Sequence, residues 1–527
     1  MLSEARAGLL APLCAWLLRW AVPISVAILV VVQLHANARL YPRWIGWSDQ
    51  DYYLQSARAW AHGNLDPSQH HYPPGYALLA APFVYLTPSQ PFLIPDLVCS
   101  ALTLVLFTRV CRRLAPDLPH VGAVAAICFL GSTALGETAT DLWVVPWTTT
   151  AAAPLLLTSL LMALRFSQSL RLPDLFGLGL AAGFGAAVRP SDAALIFAIC
   201  GAYCAVRLVM ARSTPLGYLS AVLVLAGGLA IGLLPGLVAH VLVHGFSAGG
   251  YLGSSAGVGF EWRLIPLRWV TLAISPRPLF PQGSGMAAVF PWLLPGIAGM
   301  ILTIAIWHRP AAGANLFVAV AIVAYWALYL SYRDLHPTGL WRYNNVHYFK
   351  WTLPFLLFWA VGQARALKMQ TSRGAALAAL GAACLLFWWR PVFVPAAQGM
   401  EAVHGLAAAV PGGLAPIDRV FILEGGGAWN AAYFGRSRLL IGAHAFFNPG
   451  DYKIFPGHAG LMLMPMRSLP EGDATIVMPA GVVLPRQAHW TAGTSQLEFG
   501  VPCLLTPRWG DCKAVSDVTA GSAGVDH

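Results

Sequence analysis

Charge is what this sequence has least of. Only 10% of its 527 residues are Asp, Glu, Lys or Arg, against about 25% in an ordinary soluble domain. With 57% hydrophobic residues and a mean hydropathy of +0.63, water is not the solvent for most of the surface. Metal-ligand spacing is missing as well. No HExxH run occurs, His70 and His71 stand side by side with His62 eight residues back, and Cys200 and Cys204 have no second pair nearby. The run SAGGYLGSSAGVGFEW lacks the strand, helix and Lys of a phosphate loop, so nucleotide binding has no support. The net charge of +10 comes without any nucleic-acid module. Basic residues that hold loops on the cytoplasmic side and meet anionic lipid head groups account for it, and no nucleic-acid partner is expected.

What is present is a series of apolar runs over roughly residues 1–395, many of them long enough to span hydrocarbon. Backbone groups in lipid must be satisfied within the chain, which makes these runs helices. Eleven spans are expected, at about 20–36, 92–110, 119–136, 148–165, 174–188, 191–206, 217–240, 287–306, 315–331, 351–367 and 374–394. Arg112 and Arg113, Arg165 and Arg171, Arg207 and Arg212, Arg309, and Arg365, Lys368 and Arg373 all fall in loops on one side. That side is the cytoplasm, with the N-terminus, and the inner membrane is the membrane if the source is bacterial. An odd number of spans sends 396–527 to the other face, the periplasm in that case. This segment is rich in Gly and Pro, with short β-prone pieces such as RVFILEG, SRLLIGA and ATIVMPAGVVL, and reads as a small α/β extracytoplasmic domain with a disordered tail. The fold expected is therefore a polytopic α-helical membrane protein with a small C-terminal α/β domain. Seven of the nine cysteines lie in or beside apolar runs as small buried hydrophobes. Cys503 and Cys512 close a short loop in the polar segment, where an extracytoplasmic location favours a disulfide.

Three outer loops, 37–91, 241–286 and 332–350, are too long for mere connectors and carry Trp, Tyr, His and acid. The first reads WSDQDYYLQSARAWAHGNLDPSQHHYPPGYALLAAPF, with interfacial helices expected over 51–62 and 75–87. Asp49 and Asp51 follow the first span at the membrane surface. A carboxylate there can take the proton of an acceptor hydroxyl, or simply cap the helix that begins near residue 51. Arg189 breaks the positive-inside rule, in the tight turn between two short spans. It can hold a phosphate bidentately with help from the helix that follows Pro190, or pair with Asp192. Glu137 and Asp141 in GETATDLWVVPW face the same side, either as acceptor-positioning groups or as ordinary loop carboxylates. Tyr251 and Glu261, with Trp262, are candidates to line a sugar or acceptor groove.

The run Asp49-x-x-x-Tyr53-x-x-x-Ala57, then Gly63, then Tyr72-Pro73-Pro74-Gly75-Tyr76, resembles the first-loop signature of GT-C glycosyltransferases, the polytopic enzymes related to protein O-mannosyltransferases and lipid A aminoarabinose transferases. GFGAAVRPSDAALIF resembles the helix–Arg-Pro–helix turn of that superfamily, and HYFKWTLPFLLF its late segment. The resemblance covers roughly 1–395. It implies a polyprenyl-phosphate sugar donor, a lipid, glycan or protein acceptor, and in-line displacement with inversion. Asp49 matches the family's base and Asp51 an assistant that binds acceptor or a divalent cation, although a lipid monophosphate leaves less need for metal. Arg189, Arg342, His347 and Lys350 are the candidates to meet the donor phosphate, and Tyr53, Tyr72 and Tyr76 to line the sugar or acceptor site. Two positions depart from the pattern: His347 stands where the family usually has Arg, and Tyr72 where a basic residue precedes the Pro-Pro pair. Two other classes fit the same topology. A polymerase or ligase of polyprenyl-diphosphate glycans tends to carry its large outer loops late. A flippase or transporter would put acids at mid-membrane.

Overall fold

In the computed structural model the described residues are 2–40, 48–88, 90–134, 142–247, 249, 251, 259–274, 285–305, 312–332 and 346–366, with short strands between 419 and 514. The chain is predominantly helical. Its main elements are α1 (Leu2–Leu40), α2 (Ser48–Ala61), α3 (Pro74–Ala80), α4 (Leu93–Leu114), α5 (Val121–Thr133), α6 (Thr148–Ser169), α7 (Leu172–Val188), α8 (Pro190–Met210), α9 (Pro215–His244), α10 (Leu293–Ala305), α11 (Ala312–Ser331) and α12 (Leu353–Ala366). Helices thus occupy ten of the eleven expected spans, and 374–394 lies outside the described residues.

Six of these helices are long and apolar enough to cross a membrane: the Leu18–Ala38 part of α1, then α4, α6, α8, α9 and Gly313–Ser331 of α11. The chain is a helical membrane protein. The other four apolar helices are shorter, at 10–17 residues. Proline accounts for some of the shortening: α10 starts only after Pro291, and Pro190 forces a new helix one residue after α7 ends.

Small residues let the helices pack closely. Gly179 and Gly183 of α7 face Gly228 and Gly232 of α9, so near that a β-carbon at any of them would strike the partner's backbone. Lipid offers no hydrophobic drive between helices, and such backbone approach is what replaces it. This pairing carries the α7–α8 turn, and with it Arg189. As the apolar context predicts, Cys99, Cys111, Cys128, Cys200 and Cys204 are buried thiols.

The first loop also folds as helices, displaced from expectation. α2 begins at Ser48, so Asp49 and Asp51 lie within its first turn and not ahead of it. Acids in that turn face the positive end of the helix dipole. α3 is shorter than 75–87, passing into a tight turn at Ala81–Phe83. Gly75 explains the Pro-Pro-Gly run: a β-carbon there would lie 2.7 Å from the Ala187 carbonyl oxygen, so glycine lets α3 sit directly on the end of α7.

Beyond residue 366 the described strands include Arg419–Ile422 parallel to Ser437–Leu440, and Val482–Pro485 between Ala459–Gly460 and Cys512–Ala514. Those at 419–422, 437–440 and 482–485 coincide with the β-prone pieces seen in sequence. The Cys503–Cys512 pairing lies outside the described residues, as do Glu137, Asp141, Arg342 and the side chain of Asp51.

Candidate active site

Asp49 accepts a hydrogen bond from the Tyr72 hydroxyl, closing the first loop onto its own first helix. Tyr72 rests against Tyr53 (4.8 Å between ring centroids) and Tyr251 (5.0 Å), and His71 stacks on Tyr52 at 4.6 Å. Tyr251 comes from a loop about 200 residues further on, which no local pattern could bring here. Burial, followed by the negative charge of Asp49, raises the Tyr72 phenol well above its ordinary pKa, so Tyr72 stays a donor. Behind this layer Ser56 meets His70 Nδ1 at 2.9 Å, and His70 Nε2 meets the Asn64 carbonyl at 2.8 Å, fixing the loop that leads to Tyr72. Tyr76 packs edge-on against Tyr53 at 5.3 Å, and its hydroxyl donates to both Asp96 carboxylate oxygens, at 3.0 and 2.9 Å.

Arg189 is buried in the α7–α8 turn. Its Nε donates to Asp192 Oδ2 (2.9 Å), Nη1 to Thr148 Oγ1 (2.8 Å) and Nη2 to the Tyr329 hydroxyl (2.6 Å). Tyr325 donates to Asp192 Oδ2 at 2.8 Å, and Tyr329 to Asp192 Oδ1. The Tyr348 ring lies 5.2 Å from the guanidinium carbon. Burial is the largest influence and opposes the arginine's charge, but Asp192 together with Tyr329, Tyr325 and Tyr251 outweighs it, so the guanidinium is held protonated. Of the two alternatives read for Arg189, the pairing with Asp192 is the one the structure contains. The described bonds take three of the arginine's five N–H groups.

Lys350 and His347 lie deeper. The Lys350 ammonium is fully buried, donating to the Leu142 carbonyl at 2.9 Å and to Thr150 Oγ1, with the Trp143 ring 4.9 Å away. Burial pushes its pKa down to about 7, with Asp96 working against that shift. His347 stacks on Trp147 at 3.7 Å, and burial beside Arg189 and Lys350 holds it neutral. Glu261 joins the end of α11, its backbone N–H donating to the Ser331 carbonyl at 2.6 Å.

One segment ties these groups together. Gln50, next to Asp49, donates to the Pro146 carbonyl at 2.9 Å. Trp147 carries His347, Thr148 holds Arg189, and Leu142 and Thr150 hold Lys350. Residues 142–150, read in sequence as a short outer connection running into a span, are the hub of the site.

Sequence reasoning missed Asp96, which lies buried in the first turn of α4, along with Thr148, Thr150, Tyr325, Tyr329 and Tyr348. A lone Asp near the start of an apolar run carried a signal, because a carboxylate in such a run needs a partner. The hydroxyl groups carried none. Among the described residues no three His, Cys, Asp or Glu side chains are grouped to hold a metal ion.

No family model matches the chain, and no curated protein matches it in sequence. Among solved structures it is similar to ArnT from Cupriavidus metallidurans bound to undecaprenyl phosphate. That similarity has 15% identity and a TM-score of 0.45, covering 73% of this chain and 72% of that one. It is also similar to the Archaeoglobus fulgidus oligosaccharyltransferase in complex with Zn and sulfate, with 14% identity and a TM-score of 0.41, covering 74% of this chain and 55% of the other.

Proposed function

We propose that the protein is a membrane glycosyltransferase that moves a sugar from a polyprenyl-phosphate carrier to an acceptor hydroxyl on the extracytoplasmic face, with inversion. The observation that carries this reading is the hub at 142–150. Through Pro146 it holds the helix of Asp49, and through Thr148 it holds Arg189. An acid and a buried, permanently charged cation are thereby anchored to one short stretch of chain.

Asp49 acts as general base, taking the acceptor proton as the hydroxyl attacks the anomeric carbon. The Tyr72 hydroxyl on its carboxylate fixes the orientation of the oxygen that does so. The bond to phosphate breaks as the new glycosidic bond forms, and the phosphate leaves with the electron pair. The two N–H groups of Arg189 beyond its three described bonds receive that charge. Tyr52, Tyr53, Tyr72 and Tyr251 supply aromatic faces for the sugar or acceptor, with Glu261 a further candidate for that groove.

The test is transfer from a radiolabelled polyprenyl-phosphate sugar pool in membranes, wild type beside Asp49→Asn. Loss of label from the carrier with wild type alone supports both class and base. Equal loss with both moves the base away from Asp49. No loss with either, across several sugars, overturns the reading.

A further inference from the structure

We propose that Lys350 is the brace that sets the position of Arg189, acting through residues 142–150, and that it makes no contact with the donor itself. The proposal takes Arg189 as the phosphate-holding residue from the reading above, while the brace is a matter of geometry and is tested separately. Lys350 has no exposed surface, and its described hydrogen bonds go to protein oxygens, Leu142 O and Thr150 Oγ1. Those two acceptors flank Thr148, the residue that holds Arg189 Nη1. The short turn Val346–Tyr348 makes two further contacts on the same assembly: His347 stacks on Trp147, and Tyr348 lies over the guanidinium.

The first turn of α6 needs such a brace. Pro154 lies inside the helix and has no N–H to donate to the Thr150 carbonyl. The Thr150 N–H itself reaches back only three residues, to the Trp147 carbonyl at 2.8 Å. The turn that presents Thr148 is thus short of its own ladder and is held from outside by an ammonium. Without that ammonium, the Leu142 carbonyl and the Thr150 hydroxyl become unpaired buried groups, and the segment relaxes to find other partners.

The brace is sensitive to pH. The titratable and charged groups acting on Lys350 are Asp96 and Cys99 from α4, Arg189 from the α7–α8 turn, and His347 of its own turn, with Tyr76 held on Asp96. Burial, and secondarily Arg189, lower its pKa to about 7 against the opposing pull of Asp96 and Cys99. Lys350 is therefore charged below that pH and neutral above it. As pH rises through about 7, the brace weakens while Arg189 keeps its charge.

The experiment uses full-length protein in nanodiscs, with undecaprenyl phosphate as the probe, comparing wild type, Lys350→Met and Arg189→Met below and above about pH 7. Carrier affinity is read by native mass spectrometry, and cryo-electron microscopy of Lys350→Met reads the Thr148–Arg189 bond. The expected result is a loss of about tenfold in affinity for Lys350→Met, the size of one charged hydrogen bond. Wild type shows a matching loss on the alkaline side that the variant lacks, and Thr148 is parted from Arg189 in the variant. An intact Thr148–Arg189 bond in a folded variant overturns the brace. Unchanged affinity in Arg189→Met instead overturns the phosphate role of Arg189, and the bond geometry still decides the brace. If Lys350→Met does not fold, Thr150→Val, which keeps the ammonium and removes one of its acceptors, carries the same comparison.

Discussion

The two ends of the helix bundle each hold an arginine–aspartate pair with the same 2.9 Å contact, and they are not alike. At the end away from the first loop, Arg165 meets Asp174 with 45% of the arginine side chain exposed. Its neighbours there are loosely tied: Arg113 donates to Gln168, and Arg207 to the Ser167 carbonyl at 3.1 Å. At the first-loop end, Arg189 meets Asp192 with 10% of its side chain exposed, and both partners are bound again by Thr148, Tyr325 and Tyr329. A charge that can reach water needs little from the protein. A charge withdrawn from water has to be surrounded by donors and acceptors. The contrast is one of solvation: the Arg165 pair is shared with water, and the Arg189 pair is enclosed by protein donors and acceptors.

The comparison breaks most visibly at the base. Asp49→Asn is expected to lower transfer by at least about a hundredfold while leaving thermal unfolding unchanged, because the shape is kept and only proton acceptance is lost. Transfer at the wild-type rate would remove the chemistry from this carboxylate. Next comes Asp192→Ala, which leaves a buried guanidinium without its counter-charge. A destabilisation of about 3–5 kcal/mol is expected in detergent unfolding, and a loss no larger than that of Asp174→Ala would erase the distinction between the two ends. Gly75→Val should cost about 1–3 kcal/mol, because the new side chain meets the Ala187 carbonyl and lifts α3 from the turn that carries Arg189. A variant with unchanged stability and unchanged transfer would show that this close approach does not position the site. The smallest effect belongs to Arg165→Ala, expected within about 1 kcal/mol of wild type. A larger loss would mean that the exposed pair is structural after all.

Much of this architecture was legible in the residues. Ten expected spans are helices because lipid-facing and buried positions both demand apolar side chains over a helix length, and that demand is local. As candidates, Asp49 stands out through its spacing to Tyr53 and the Pro-Pro-Gly run, and Arg189 as a cation in a turn where the positive-inside pattern expects none. Lys350 was legible as a cation near the site, but its burial was not. A lysine beside Tyr, Phe and Trp looks like a residue at the membrane surface until Leu142 and Thr150 are seen to meet it. The sequence places Tyr76 near Tyr53 and Tyr72, and it does pack on Tyr53; that its hydroxyl turns to Asp96 carries no local signal.

The sequence by itself therefore determined the solvent, the helices and the candidate acid and cation, because hydropathy and charge act over a few turns of chain. Only the tertiary structure decided that residues 142–150 hold Asp49's helix, Arg189 and Lys350 together, and that Tyr251 closes on Tyr72. These contacts join residues about 40 to 200 positions apart. They come from backbone approach at Gly75, Gly179 and Gly183 and from the need of buried polar groups for partners; the four-residue spacing of Gly179 and Gly183 marks a contact face, but neither requirement names its partner along the chain.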